Sequence, residues 1–307
     1  MPQHLFSVRK ISRDYFQEIF SLASVIEENP SNFADKCKGK ILATLFFEPS
    51  TRTRLSFESA MLRLGGKILG FTSSKSSSAA KGESISDTIR MINHYAHIAV
   101  IRHYIEGIGQ IADEFATIPF ISGGTGTQEH PTQALLDLYT IQKEFKKIDN
   151  LKIGVMGDLL YGRTIPSLLF SLAKYNNVEI NLISPTALRL RKDISIRLRE
   201  MNCEYSTFEN LREIVDELDV LYVTRIQRER FPDPTDYERL KGIYQIKTDD
   251  IKKAKEGMII LHPLPRIDEI DYKIDKLKNS RYFEQAQNGV WVRMALILKY
   301  LEVNSSE

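Results

Sequence analysis

Six arginines stand directly behind stretches of sequence that read as β-strands: Arg52, Arg54, Arg102, Arg163, Arg225 and Arg266. A guanidinium offers a fixed fork of donors that matches carboxylate and phosphate oxygens. Arginines gathered at strand ends therefore suit one or two small ligands carrying several negative charges. The densest group is Glu48-Pro49-Ser50-Thr51-Arg52-Thr53-Arg54, at a strand-to-helix turn. The first turn of a helix exposes unpaired N–H groups and the positive end of the helix dipole. Hydroxyl and guanidinium donors beside those groups make a phosphate cradle. A helix cap at Ser50 or Thr51 explains one hydroxyl, but not two arginines in the same turn. The cradle is not a P-loop, because no G-x-x-x-x-G-K-[ST] occurs.

Weaker signals lie further along. His130-Pro131-Thr132-Gln133 opens a helix, and a histidine there is an uncharged donor or a proton carrier. Taken by itself it reads as a packing residue, and Arg102, Arg163, Arg225 and Arg266 taken singly read as surface or structural arginines. The segment Gly157–Thr164 does not fit the dinucleotide fingerprint G-x-G-x-x-G. Neither H-E-x-x-H nor a Ser/His/Asp order is present, which sets aside the common metalloprotease and hydrolase readings.

Elements must hold these residues in place. Short apolar, β-branched runs predict strands at Ile41–Phe47, Lys67–Thr72, Ile98–Ile101, Pro119–Ser122, Lys152–Met156, Glu179–Ile183, Val220–Thr224 and Met258–Leu261. Helical periodicity lies between them, as at Leu55–Leu64, Ser84–Tyr95, Thr132–Phe145, Ile165–Tyr175 and, near the end, Val290–Val303. The alternation predicts an α/β protein of two domains, each a parallel β-sheet of four strands flanked by helices. In open parallel sheets ligands bind beyond the carboxyl ends of the strands, which puts the active site in the interdomain cleft. The polar run Lys146–Asn150 marks the junction. Ser73–Ser78 reads by composition as a flexible linker, and the charged segment Arg225–Gly242 as a lid or a solvated loop.

The bulk numbers narrow the function classes. The chain has 307 residues, and 42 Lys+Arg against 40 Asp+Glu leave a net charge of +2. That balance argues against a bulk electrostatic grip on nucleic acid or on an anionic membrane. No run of about 18 apolar residues predicts a spanning helix, and Met1–Lys10 lacks a signal core. The cysteines, Cys37 and Cys203, suggest neither a disulfide framework nor a structural zinc site. A reduced, cytoplasmic protein without metal is the expectation.

Taken together, FFEPSTRTRLSFE (Phe46–Glu58), IRH (Ile101–His103), HPTQALLDL (His130–Leu138), GDLLYGRT (Gly157–Thr164), TRIQRERF (Thr224–Phe231) and HPLPRIDEI (His262–Ile270) resemble the aspartate/ornithine carbamoyltransferase family. The blocks run in the family's order over nearly the whole chain. Pro263, where the ornithine type has a cysteine, and Arg225-Ile226-Gln227 resemble the aspartate type. Tyr104, Thr125, Glu129 and Leu160 depart from residues common in relatives.

The resemblance implies transfer of the carbamoyl group of carbamoyl phosphate to L-aspartate, an early step of pyrimidine synthesis, with no cofactor. It implies that Ser50, Thr51, Arg52 and Thr53 hold the phosphate. Thr53, Arg102 and His130 would donate to the carbonyl oxygen, and Gln133 and the backbone at Leu264 and Pro265 would accept from the NH2 group. Arg163, Thr164, Arg225 and Gln227 would hold aspartate. The resemblance also turns the Ser-rich stretch from linker into site, with Ser77 (Ser78 as its rival) and Lys81 reaching into an adjacent subunit of a homotrimer with shared active sites. It implies a cis peptide at Leu264–Pro265. It divides the chain into a carbamoyl-phosphate-binding domain, residues 1–133 with 288–307, and an aspartate-binding domain, residues 134–287. Separate regulatory chains, forming a larger holoenzyme, are candidate partners. The rivals are a carbamoyltransferase for another amine such as ornithine, a non-catalytic scaffold for phosphorylated ligands, and a nicotinamide-dependent oxidoreductase.

Overall fold

The structure, a computed structural model, describes residues 3–126, 129–226, 233, 235, 238–239 and 245–302. The chain forms two compact units. One comprises Met1–Tyr139 with Gln287–Glu307, the other Thr140–Ala286.

In the first unit, strands β1 (Ile41–Phe46), β2 (Lys67–Phe71), β3 (Ile98–His103) and β4 (Phe120–Thr125) form an all-parallel sheet in the order β2-β1-β3-β4. Central strands covered on both faces read as continuous apolar runs. Leu42–Phe46 and all of Ile98–Ile101 are buried accordingly. Ala43, Leu45 and Phe47 alternate onto one face with Ala99 and Ile101, and they pack against Ile89, Ile92, Ile108 and Ala112. Those partners come from α3 (Ile85–Tyr95) and α4 (Ile108–Phe115), which follow α1 (Arg13–Glu28) and α2 (Thr51–Arg63) in chain order. Strands β3 and β4 extend past their expected ends, to His103 and Thr125, with a register shift between Ile101 and His103. Gly123 and Gly124 therefore lie within a buried strand rather than in the loop behind it.

In the second unit, β5 (Lys152–Met156), β6 (Glu179–Ile183), β7 (Tyr205–Phe208), β8 (Val220–Val223) and β9 (Ile259–Leu261) form a parallel sheet in the order β7-β6-β5-β8-β9. It has five strands rather than the expected four. The extra one, Tyr-Ser-Thr-Phe, is a polar, partly exposed edge strand with no apolar run to announce it. Helix α6 (Thr164–Leu172) is buried at every position from Ile165 to Leu172, and α7 (Lys192–Glu200) follows β6.

The division between units falls within α5 (Pro131–Phe145) and α8 (Tyr282–Tyr300). Helix α8 begins well before the expected Val290. Among the described residues, no helix is long and apolar enough to cross a membrane.

Candidate active site

The segment expected to hold phosphate begins where β1 ends. Ser50 takes the cap position of α2, yet its hydroxyl makes no capping hydrogen bond, and no acidic residue occupies the first turn. The positive end of the helix thus meets Thr51 and Arg52, both exposed, and Thr53, which is buried. A simple helix cap does not account for Ser50. Arg54 turns back instead, donating to both carboxylate oxygens of Glu58 at 3.1 and 3.4 Å. Thr44 Oγ1 donates to the same carboxylate at 3.0 Å. Glu58, held by Arg54 on its own helix, therefore ties α2 to β1.

The first unit gathers the expected carbonyl-facing donors. Thr53 Oγ1 and His130 Nε2 approach to 3.5 Å. Arg102 is buried, donates from Nη1 to the Gly123 carbonyl at 3.0 Å, and faces Glu48 at 3.5 Å. Gln133 is buried in the first turn of α5, and its Nε2 donates to Asp137 at 2.8 Å. His130 is anchored through its neighbour. Glu129 is buried and accepts from Ser7 Oγ (2.6 Å), Val8 N–H (2.9 Å) and Arg9 Nε (3.1 Å). Burial pushes the Glu129 carboxyl above its ordinary range, and these donors oppose the shift. Glu129 thus ties the start of α5 to the N-terminal turn Val8–Lys10.

The Ser-rich stretch forms two short 3₁₀ turns, Ser74–Ser76 and Ser78–Lys81, rather than a featureless linker. Ser77 lies between them and donates to the Ser74 carbonyl at 2.9 Å. Lys81 is exposed.

In the second unit, Arg163 and Thr164 sit at the start of α6, behind β5. The approach is shaped by Gly157, at φ 118°, where a Cβ would lie 2.1 Å from the Thr224 carbonyl oxygen behind β8. Only glycine lets the two strand ends come this close. Asp158 then accepts from the N–H groups of Leu160 (3.2 Å) and Tyr161 (2.8 Å), fixing the turn that delivers Arg163. Arg225 is half-buried just past β8. Gln227, and most of the Arg225–Gly242 segment, lie outside the described residues.

The turn after β9 is held by its own side chains. His262 Nδ1 accepts from Leu264 N–H at 2.8 Å, and Nε2 lies 2.6 Å from Glu269. Glu269 also accepts from the N–H groups of Ile267 and Asp268. Burial holds the His262 pKa below its usual value, against the pull of Glu269, so the imidazole is neutral and its Nε2–H donates. Leu264 has φ 54°, and the Leu264–Pro265 peptide is cis. Arg266 pairs with Asp275 and Tyr282 and lies over the Tyr272 ring, serving structure rather than ligand.

Sequence reasoning missed the supporting carboxylates Glu129, Asp137 and Glu269. The spacing of Gln133 and Asp137, four residues apart on one helix face, was a readable signal. The Glu129 partners lie more than a hundred positions away and left none.

Residues 3–143 match the family description "Aspartate/ornithine carbamoyltransferase, carbamoyl-P binding domain", and residues 149–300 match its "Asp/Orn binding domain". The aspartate carbamoyltransferase catalytic subunit of Methanocaldococcus jannaschii is 50% identical over 99% of this chain and all of its own. That of Thermococcus kodakarensis is 52% identical over 95% of each chain. A solved structure of the M. jannaschii catalytic subunit superposes over both full chains with a TM-score of 0.90. Aspartate transcarbamoylase from Trypanosoma cruzi, solved with carbamoyl aspartate and phosphate, is 35% identical over 96% of this chain and 94% of its own, at a TM-score of 0.89. Similarity that extends through both domains and nearly the whole chain makes this chain a member of the aspartate/ornithine carbamoyltransferase family.

Proposed function

We propose that this protein is an aspartate carbamoyltransferase catalytic chain: it joins carbamoyl phosphate and L-aspartate to give N-carbamoyl-L-aspartate and phosphate, at the entry to pyrimidine synthesis. The observation that carries the reading is the start of α2. Its N-terminus is left open by Ser50, and Thr53 there meets His130 at 3.5 Å. In this reading the unit containing Met1–Tyr139 takes carbamoyl phosphate and the unit Thr140–Ala286 takes aspartate.

Ser50, Thr51, Arg52 and Thr53 hold the phosphate. Thr53, Arg102 and His130 face the carbonyl oxygen, which becomes negative as the amine adds. Donors already aimed at that oxygen stabilise the change without reorganising, typically by about 3 kcal/mol each. Gln133 and the backbone of Leu264 and Pro265 accept from the NH2 group. Arg163, Thr164, Arg225 and Gln227 hold the two carboxylates of aspartate, whose amine attacks in its neutral form. The leaving phosphate takes the proton, so no strong protein base is required, and ordering two anions side by side supplies much of the rate. Ser77 and Lys81 complete the site of a neighbouring subunit in a homotrimer, and separate regulatory chains are candidate partners of that trimer.

Ornithine is disfavoured as acceptor, because its side chain ends in a cation and Arg163 and Arg225 would repel it. Purified protein given carbamoyl phosphate with aspartate is expected to form carbamoyl-aspartate. Turnover with ornithine instead would overturn the second-unit assignments.

A further inference from the structure

Gln133 can face a ligand with either end of its amide, and only one end accepts. Its Nε2 donates to Asp137 Oδ1 at 2.8 Å, one turn along α5. An ionised carboxylate only accepts, whereas an amide has one donating and one accepting end. The pairing commits the Gln133 nitrogen to Asp137 and leaves the oxygen as the free-facing acceptor. Asp137 has no solvent exposure. A carboxylate so buried stays ionised only beside a positive charge.

Arg293, on α8, is a buried cation whose attraction reaches Asp137. It is 3% exposed, and attraction to Asp137 works against the burial that draws its pKa down to about 10. Its fork is fixed. Nη1 donates to Ser56 Oγ on α2 at 2.9 Å, Nη2 reaches Thr132 Oγ1 on α5 at 3.5 Å, and the guanidinium lies 5.0 Å from the Phe57 ring centre. Gly289, one turn earlier, leaves the room, since a Cβ there would stand 2.4 Å from Nη1.

We propose that Asp137 is a positioning residue that fixes the Gln133 amide with its oxygen toward substrate, so that the site selects acyl phosphates bearing an N–H donor. The inference rests on the role given to Gln133 above. It adds the residues that set the polarity of that contact.

The test compares three ligands on the full-length protein: carbamoyl phosphate, acetyl phosphate (a methyl group in place of NH2) and inorganic phosphate. Binding is measured for wild type, Gln133→Ala, Asp137→Asn and the double variant. Asp137→Asn, which offers Gln133 a donor as readily as an acceptor, is expected to weaken carbamoyl phosphate several-fold, less than the full worth of one oriented hydrogen bond. The other two ligands should be unaffected, and the substitution should add nothing on the Gln133→Ala background. Equal weakening of all three ligands, or additive losses in the double variant, would mean that Asp137 acts on the fold at large and overturn the proposal. Loss of the carbamoyl preference in Gln133→Ala but not in Asp137→Asn overturns the Asp137 inference alone. An unchanged preference in Gln133→Ala overturns the Gln133 assignment and the inference with it. If Asp137→Asn alone does not fold, pairing it with Arg293→Met removes the orphaned cation, and the same carbamoyl-to-acetyl ratio is read.

Discussion

Arg52 and Arg225 carry opposite halves of the proposed chemistry, and each can be tested alone. Arg52 is exposed in the first turn of α2, where the helix end already favours an anion. A hydrogen-bonded charge contact of this kind is worth about 1.5–3 kcal/mol. Arg52→Ala is therefore expected to weaken inorganic phosphate and carbamoyl phosphate by roughly ten- to a hundredfold in calorimetry. Unchanged affinity would remove the cradle assignment. Arg225→Ala should raise the KM for aspartate by a similar factor and leave that for carbamoyl phosphate within about twofold. Equal rises in steady-state kinetics would contradict its role.

The turn His262–Ile270 shows how one element makes a prediction of its own. His262 is neutral in the fold because it is buried and because its Nδ1 already accepts from Leu264. The unfolded imidazole takes up a proton near 6.5, the folded one only at lower pH. Below that value the unfolded state binds more protons, so stability falls as pH falls, by at most about 1.4 kcal/mol per pH unit. Urea midpoints between pH 7 and 5.5 should drop more steeply for wild type than for His262→Asn, which keeps an acceptor for the Leu264 N–H and cannot titrate. Parallel profiles would show that His262 does not hold the turn in its neutral form.

Elements differ in how plainly the sequence announces them, for physical reasons. Strands β1, β5 and β6 are buried, and their apolar runs marked them to within a residue. Strand β7 is half exposed and polar, so nothing in Tyr205–Phe208 separated it from a loop. Helix α8 hid its first turns because Asn288-Gly289 looks like a turn. Gly289 is there to admit Arg293 and Leu136, a tertiary reason invisible to periodicity. The proposed cradle could be read as a unit because Ser50–Arg54 are adjacent in the chain. Glu129 was not legible as a support for His130, since Ser7, Val8 and Arg9 meet it only in the fold.

At the scale of the whole molecule, the proposed trimer makes each active site a joint product of two chains. Lys81 is exposed, on a 3₁₀ turn of the Ser-rich stretch, and the reading sends it to a neighbour. Inactive Lys81→Ala and Arg52→Ala chains, mixed and reassembled, should then regain activity, because some sites combine an intact Arg52 with an intact Lys81 from the next chain. Random assembly gives about a quarter of wild-type activity, since half of each contribution is intact. No recovery in verified mixed trimers would mean that the sites are not shared.

The measurement closest to the central claim is product formation by the purified chain from carbamoyl phosphate with aspartate or ornithine, without added metal or nucleotide. The expected result is carbamoyl-aspartate and phosphate in equal amounts from aspartate, and no carbamoyl product from ornithine. Carbamoylation of ornithine, or no product from aspartate by a chain that binds carbamoyl phosphate, would contradict it.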